Sequence, residues 1–278
     1  MMPPPKLRIG PSGWDYPQWQ GVVYPARKQR QSHPLEYLAS HFDVIEIEST
    51  FRRPLRPEIA RLWLAKVARN PAFQFTAVLG RRFTHQRSLD PAEIAQFKEG
   101  LGPIVRARRL GCLLLQFPWA FRFTSENREF LIQLRRAFHE FPMAVEMRHR
   151  SWEVDEAVGT LIDYRLGFVN IDQPPYASAM PPSALVTSGV GYVRLHGRDK
   201  NYWVREFRDG AAASGLDDYL YSPGELGEWK ERIEHVRAHS TTTFVVTANP
   251  AAGKSVVNAL QLGALLGDQR PAPQRAVA

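Results

Sequence analysis

Glu146 and Arg148 carry opposite charges and lie two positions apart, at the end of an apolar segment that spans residues 143–147. The segment is short and contains a β-branched residue, which is typical of a buried β-strand. Side chains two positions apart on a strand point to the same face. A charged pair on a buried face indicates either a structural ion pair or part of a functional site. This segment alone leaves both interpretations open.

The same spacing of polar residues recurs on three other predicted strands. The pairs are Glu46 and Glu48 on the second strand, Asn170 and Asp172 on the sixth, and Arg194 and His196 on the seventh. Single polar residues stand at or just beyond other strand ends, namely Gln116, His85, Arg198 and Asn249. Carboxylate, imidazole and guanidinium groups are the groups that acid–base catalysis and anion binding use.

Eight apolar segments are predicted to be strands, and helical patterns separate nearly all of them. The strands are predicted at 7–13, 44–50, 73–80, 111–118, 143–147, 167–173, 191–198 and 242–249. The helices are predicted at 34–42, 57–69, 90–110 with a break at 102–103, 125–141 with Ser125 as its cap, 154–165, 222–239 and 252–266. The connection at 174–189 shows no helical pattern, and a long loop is predicted after the seventh strand. The alternation predicts an α/β fold, a single-domain (β/α)8 barrel of the TIM type with its sixth helix degraded.

A doubly wound open sheet is the alternative fold. No Gly-x-Gly-x-x-Gly sequence follows any predicted strand, so a dinucleotide site is not expected. In a barrel, inward side chains at the carboxyl ends of the strands converge on one mouth. The residues expected to share a pocket there are Glu46, Glu146, Arg148, Asp172, Arg194 and His196.

The composition limits the classes of function. The net charge is +8, but no dense run of basic residues alternates with aromatic ones, so no dedicated nucleic-acid surface is expected. Cys112 is the single cysteine, which excludes an intrachain disulfide and fits a reducing compartment. No secretory signal and no apolar run of membrane-spanning length is present, so a cytoplasmic protein with no membrane partner is expected.

The domain limits follow from the same pattern. Residues 1–6 are predicted to be a disordered start, 7–267 a single barrel domain and 268–278 a flexible tail. The oligomeric state is left open.

Several segments that follow one another along nearly the whole chain form a distinctive set. They are Gly-Pro-Ser-Gly-Trp-Asp-Tyr at 10–16, Glu-Ile-Glu-Ser-Thr-Phe at 46–51, Thr-His at 84–85, Leu-Leu-Gln-Phe-Pro at 114–118, Val-Glu-Met-Arg-His-Arg-Ser-Trp at 145–152, Asp172, Tyr-Val-Arg-Leu-His-Gly-Arg at 192–198, and Asn249 with Gly253 and Asn258-Ala259. Together they resemble the YecE-like family, also called domain of unknown function 72. The resemblance implies a TIM-type barrel and supplies no reaction.

The chain departs from that family pattern at four positions. The family tends to have Asn, Tyr and Lys where this chain has Glu48, Arg52 and Val78, and an Asn-Asn pair where it has Ala248 and Asn249. A family activity that depended on that lysine or tyrosine would be lost or altered here.

The first functional hypothesis is an enzyme acting by acid–base chemistry on an anionic small molecule, phosphorylated or similar to a sugar or nucleotide. Arginines hold the anion, Glu146 or Asp172 is the general base, and His196 is the general acid. The residues assigned to catalysis are Glu146, Asp172 and His196. The residues assigned to substrate binding are Arg148, Arg194, Arg198, Glu46, Gln116, His85, Trp14, Tyr16 and Asn249.

Two other hypotheses stay open. A metal-dependent hydrolase or isomerase would use the oxygen and nitrogen ligands of Glu46, Glu146, Asp172 and His196. The neighbouring arginines compete for those carboxylates, so no cofactor is assigned, and a divalent metal is left open. A non-catalytic binding barrel would stack a sugar or base on the aromatic residues Trp14, Tyr16 and Trp19.

Overall fold

The computed structural model describes residues 6–25, 33–209 and 217–267 and shows one eight-stranded parallel sheet. The strands are β1 Lys6–Pro11, β2 Val44–Ile47, β3 Gln74–Val78, β4 Leu110–Gln116, β5 Met143–Glu146, β6 Gly167–Asp172, β7 Val190–Leu195 and β8 Thr242–Thr247. From β2 to β8 each strand pairs in parallel with the next, and β8 pairs with β1. One parallel bridge between Ser12 and Glu46 joins β1 to β2 and nearly closes the ring. The predicted (β/α)8 barrel is confirmed.

A helix follows every strand except β6. They are α1 Pro34–Ala39, α2 Pro57–Lys66, α3 Arg81–Thr84, α4 Pro91–Arg106, α5 Ser125–Ala137, α6 Asp155–Asp163, α7 Lys200–Asp209, α8 Pro223–His239 and α9 Lys254–Leu265. Asp90 caps α4, and Ser222 forms a capping box with Glu225 at the start of α8. The cap of α5 is Thr124 and not Ser125, because the Thr124 hydroxyl accepts from the backbone of Asn127.

Three predicted boundaries are wrong in ways that affect the site. β2 ends at Ile47, and a 3-10 turn over Ser49–Phe51 takes Glu48 out of the strand. β5 ends at Glu146, so Arg148 lies just beyond the strand. The segment after β7 was predicted to be a loop but contains α7. The predicted break in α4 is also absent, because the buried face of the helix continues through Pro103.

The connection between β6 and β7 has no helix, as predicted. Side chains of the strand hold it instead. The Asn170 amide donates to the Leu185 carbonyl at 2.9 Å and accepts from the Leu185 N–H at 2.7 Å. Thr187 adds a bond to the Leu166 carbonyl at 2.6 Å. Asn170 therefore satisfies backbone hydrogen-bonding groups of this connection. It lies on the outer face of the sheet and does not point into the barrel interior.

The predicted disordered start extends one residue too far, because Lys6 is already paired with Thr242 in the sheet. Residues 1–5 and 268–278 lie outside the described residues, so the rest of the predicted start and the predicted tail are not addressed. None of the described helices is both long enough and apolar enough to cross a membrane.

The seam between β1 and β2 requires a glycine at position 10. A Cβ atom there would lie 1.9 Å from the Val44 carbonyl oxygen, which is backbone and cannot rotate away. We expect Gly10→Ala to lower the free energy of unfolding by about 1–3 kcal/mol, the usual cost of forcing extra volume into a packed interior. Urea unfolding followed by circular dichroism measures the change.

The matched control is Gly159→Ala in α6, where an added Cβ meets no atom within 4 Å. Alanine is the better helix former, so this variant should be as stable as the wild type or more stable. Equal stability of Gly10→Ala and wild type would mean that the seam opens freely, contrary to the packing described.

Candidate functional site

Arg194 lies between two buried carboxylates inside the barrel. Its Nη2 donates to Glu46 Oε1 at 2.8 Å, and its Nη1 donates to Glu146 Oε2 at 2.7 Å and to Gln116 Oε1 at 2.6 Å. Neither carboxylate is exposed, and Arg194 is 4% exposed. One guanidinium group therefore ties together side chains that come from β2, β4 and β5. We call these residues, with Arg148 and His196, the central network.

Glu46 has two further partners that the sequence reasoning missed. The Ser12 hydroxyl donates to Glu46 Oε1 at 2.7 Å, and the Tyr192 hydroxyl lies 2.8 Å from Glu46 Oε2 and 3.1 Å from Thr76 Oγ1. Tyr192 precedes Arg194 by two positions on β7, so the alternation that identified Arg194 and His196 also pointed to it. Ser12 and Thr76 carried no comparable signal, because small hydroxyl residues are common in strands and turns.

Glu146 is the meeting point of the central network. Its Oε1 accepts from Arg148 Nε at 3.1 Å, and its Oε2 lies 3.1 Å from His196 Nε2 as well as close to Arg194. Arg148 is 6% exposed and His196 is 7% exposed. Both oxygens of Glu146 are thus used by neighbours on the protein.

The charges of this cluster determine the protonation of Glu146. Burial raises the pKa of Glu146, but His196, Arg194 and Arg148 outweigh it and hold that pKa well below its usual range. His196 acts in this direction only while it is protonated, whereas the two arginines stay charged. Glu146 is therefore an ionised carboxylate at neutral pH.

His196 and Arg194 respond differently to the same surroundings. Burial lowers the pKa of His196, and the charge of Glu146 compensates only in part. The imidazole is therefore neutral at pH 7. Burial also disfavours the charged form of Arg194, but Glu46 and Glu146 overcome it and raise the pKa of Arg194.

Trp203 on α7 covers this part of the network. Its ring lies 5.4 Å from the His196 ring, edge to face, and the Arg148 guanidinium carbon lies 4.8 Å from the Trp203 ring centre. The Trp203 indole N–H donates to Asp217 Oδ2 at 3.2 Å, and both residues are buried. Sequence reasoning missed both residues, because they fell in the segment predicted to be a loop.

The prediction that Asp172 shares a pocket with Glu146 is wrong. In the register of β6 and β7, Ile171 lies beside Arg194 and Asp172 lies beside Leu195. Neighbouring residues in a ladder point to the same face, so Asp172 points outward when Arg194 points inward. The spacing of the β6 residues was right, but their phase was opposite to the one expected.

Asp172 forms a separate ion pair on the outer face of the sheet. Arg198 Nε donates to both carboxylate oxygens of Asp172 at 3.1 and 2.9 Å, and Arg198 Nη1 donates to Glu225 Oε1 on α8 at 2.9 Å. Burial raises the pKa of Asp172, and Arg198 offsets part of that rise. The pair joins β6 and the end of β7 to α8, and it lies apart from the central network.

The aromatic residues after β1 also differ from the prediction. Trp14 packs edge to face on Trp63 of α2, with ring centres 4.7 Å apart, and Trp19 donates to the Pro250 carbonyl at 2.7 Å. The Tyr16 hydroxyl donates to Glu48 Oε2 at 2.5 Å. Burial, followed by the charge of Glu48, raises the pKa of Tyr16 well above its usual range. Trp14 and Trp19 therefore have packing partners on the protein that account for their burial.

Tyr16 and Trp14 also line a cleft of about 550 Å³ beside the barrel seam. Other residues of that cleft are Glu48, Arg52, Arg53, His33 and Trp63.

The remaining predicted site residues divide into two groups. Gln116 belongs to the central network. His85 lies near it, since burial, followed by the charge of Arg148, lowers the pKa of His85 to about 4. The Asn249 amide instead donates to the Tyr219 carbonyl at 2.7 Å and to Asn258 Oδ1 at 2.9 Å. Asn249 therefore fixes the segment before α8.

The arrangement does not form a multidentate metal site. Across residues 6–25, 33–209 and 217–267, no three His, Cys, Asp or Glu side chains converge in a way that could hold a metal ion. Arg194 lies between Glu46 and Glu146, and Asp172 faces outward. Of the four ligands named for a metal site, Glu146 and His196 are in contact, whereas Glu46 is bridged to Glu146 by Arg194 and Asp172 lies on the other face of the sheet.

Comparisons with known proteins agree with this fold. A family model described as protein of unknown function DUF72 matches residues 8–277. The UPF0759 protein YunF of Bacillus subtilis is 26% identical over an alignment of 274 residues, and the match covers 94% of this chain and 94% of that one. A DUF72 family protein from Thermotoga maritima is 29% identical, with a TM-score of 0.81 over 94% of this chain and 99% of that one. Another from Enterococcus faecalis, 21% identical, has a TM-score of 0.80 over 96% and 99% and shows the fold alone.

Removing Arg194 should destabilise the barrel strongly. Arg194→Met leaves Glu46 and Glu146 buried without their shared cation, and we expect a loss of about 3–5 kcal/mol in the free energy of unfolding. The lowered pKa of Glu146 sets the pH dependence. Its contribution to wild-type stability is present above the ordinary carboxyl pKa of about 4.3 and is lost as the pH falls. The difference in the free energy of unfolding between Arg194→Met and the wild type should therefore become smaller at acidic pH, as denaturant unfolding at several pH values would measure.

The control is Arg61→Met, which removes the exposed Arg61–Glu58 ion pair on α2. Such pairs contribute little, so the change should stay within about 0.5 kcal/mol. A similar small effect at Arg194 would mean that the buried carboxylates do not depend on it.

Asp217 should make stability depend on pH in the opposite direction. Burial, with the nearby charges of Asp199, Asp218 and Asp172, raises its pKa to about 8, although the Trp203 hydrogen bond acts against the rise. Between the ordinary value of about 3.9 and 8, the folded state holds a proton that the unfolded state releases. Wild-type stability should therefore fall relative to Asp217→Asn by up to about 1.4 kcal/mol per pH unit over this range.

Denaturant unfolding at several pH values between 5 and 8 tests this expectation. As the pH rises, the free energy of unfolding of Asp217→Asn should increase relative to that of the wild type. Asp163→Asn, an exposed substitution on α6, should differ from the wild type by a constant amount over the same range. A constant difference between Asp217→Asn and wild type across the range contradicts the assignment.

Proposed function

The chain belongs to the DUF72 family, and we propose that it is a barrel enzyme that moves a proton to or from a small molecule, with His196 as the proton carrier. The supporting observation is the contact of 3.1 Å between His196 Nε2 and Glu146 Oε2 at the carboxyl end of the barrel. A carboxylate bound to one imidazole nitrogen fixes the tautomer and makes the other nitrogen the basic one.

The hydrogen atoms of Arg194 support this tautomer. Arg194 Nη1 has two hydrogens, and they are used by Glu146 Oε2 and Gln116 Oε1. Nη1 also lies 3.4 Å from His196 Nε2, but it has no hydrogen left to donate to that nitrogen. Nε2 carries its own hydrogen toward Glu146, and Nδ1 has the lone pair.

The roles differ from those first expected from the sequence. Glu146 is a poor general base because its pKa is held low and both of its oxygens are bonded. The neutral imidazole of His196 is a better one, since its Nδ1 carries a lone pair that is not shared with Glu146 or Arg194. In the proposal Glu146 orients His196, Arg194 positions Glu146, and Asp172 takes no part.

An anionic group on the substrate would contact Arg148. Two carboxylates and two guanidinium groups make the central network neutral overall while His196 is uncharged. Arg194 is paired with Glu46 and Glu146, so it has little capacity to bind a further anion. Arg148 lies at the outer end of the network, under Trp203, and a carboxylate or phosphate that displaced the indole would meet its guanidinium group. Substrate entry therefore requires Trp203 to move.

A rigid charge network without substrate is the second candidate. Its supporting observations are the neutral sum of the charges and the low exposure of every member. Buried ion pairs of this kind occur in proteins for structural reasons alone. The two candidates make different predictions for exchange of substrate hydrogen with solvent.

A proton-transfer enzyme labels its substrate with deuterium in heavy water. We expect the protein, incubated in D2O with a mixture of small carboxylic acids, sugars and phosphate esters, to add one deuterium to at least one compound, detected by mass spectrometry. His196→Asn should reduce the rate by about 10²–10⁴-fold, the usual contribution of a general base. Glu146→Gln should reduce it as well, because the tautomer is no longer fixed.

His139→Asn is the matched control, since His139 is exposed on the surface after α5, and its rate should equal that of the wild type. Thermal melts with inorganic phosphate or malonate test Arg148 separately: a rise that follows mass action in wild type should be absent in Arg148→Met. Labelling of no compound, with destabilisation of Glu146→Gln as the only effect, would leave the rigid network as the better description.

A further inference from the structure

Two histidines lie on the outer surface of α8, far from the central network. His235 and His239 are both exposed and are separated by four positions, one turn of the helix. His239 is the last residue of α8, and β8 begins at Thr242, three residues later. The pair therefore lies at the amino end of the barrel strands, whereas the central network lies at their carboxyl end.

The geometry of the pair favours metal binding over a role in packing. The two ring centres are 4.3 Å apart with 32° between the ring planes. His239 Nδ1 lies 2.8 Å from the His235 carbonyl oxygen, so Nδ1 carries the hydrogen and Nε2 has the lone pair. Metal-ligating histidines usually donate their second ring nitrogen to a carbonyl or carboxylate in this manner. His239 is thus already held in the tautomer that a metal ion needs.

We propose that His235 and His239 form a two-ligand surface site for a divalent transition-metal ion. Two histidines at i and i+4 on one helix face supply neutral imidazole nitrogens to a common point. Imidazole suits Cu²⁺, Ni²⁺ and Zn²⁺ and is a poor ligand set for Mg²⁺ or Ca²⁺. Water completes the coordination, because across the described residues no third His, Cys, Asp or Glu joins a group that could hold a metal.

The position at the helix end assists a cation. The carbonyl groups of the last turn give the carboxyl end of a helix a partial negative charge, which stabilises positive charge there. Arg237, which lies between the two ligands in the sequence, has a positive charge that acts against binding of a cation. The affinity order should follow the general preference of nitrogen ligands, with Cu²⁺ bound more tightly than Ni²⁺ or Zn²⁺.

Isothermal titration of the full-length protein with CuCl2, NiCl2 and ZnCl2 tests the site. We expect one ion per chain in the wild type and a loss of affinity of about tenfold or more in His235→Gln and in His239→Gln. The double variant should lose the site. His139→Gln, which removes a single exposed histidine elsewhere, should bind as the wild type does.

Electron paramagnetic resonance of the Cu²⁺ complex adds a readout that protein stability cannot imitate. The wild-type spectrum should show coupling to two imidazole nitrogens, and each single variant should show one. Full affinity in the double variant, or a spectrum unchanged by either substitution, overturns the proposal. Neither result depends on whether His196 carries a proton, so this test and that of the proposed function fail or succeed separately.

Discussion

The inside of this barrel depends on Arg194, which compensates two buried carboxylates that come from different strands. Burying a charge without a partner costs several kcal/mol, and Glu46 and Glu146 are fully buried. Arg194 contacts both, so β2, β5 and β7 must keep their mutual positions for the charges to remain paired. The narrow seam beside Gly10 lies next to this arrangement, since the single bridge that closes the ring is made by Glu46 and Ser12.

The sequence predicted the barrel and most of its central network because both rest on periodicity. Alternating strands and helices indicate parallel units, and spacing of two identifies which residues share a face. Periodicity does not say which face is inside. For Glu146 and Arg194 the assumption of an inward face was right, and for Asp172 it was wrong, because the ladder register sets Asp172 beside the outward Leu195.

Contacts between distant segments were beyond the sequence for a different reason. Trp203 meets His196 and Arg148 only because α7 folds back over the mouth, and nothing in the local pattern of α7 specifies that direction. Trp14 was assigned to ligand stacking because an aromatic residue near a strand end has the same local signature whether it faces a ligand or a helix. In the fold, Trp14 packs edge to face on Trp63 of α2.

The balance of charge inside the barrel has a chemical consequence. If the network carried surplus positive charge, it would bind an anion tightly. It would also lower the pKa of His196 further, because positive charge disfavours the imidazolium form. With two arginines matched by two carboxylates, burial is the main influence on His196, and its pKa stays low enough for a neutral ring at pH 7. In the proposed function, Glu146 stabilises the imidazolium that forms when His196 accepts a proton, because its negative charge lies 3.1 Å away. The buried carboxylate that depends on Arg194 for its charge balance is therefore the same group that the proposed function uses to orient His196 and stabilise its protonated form.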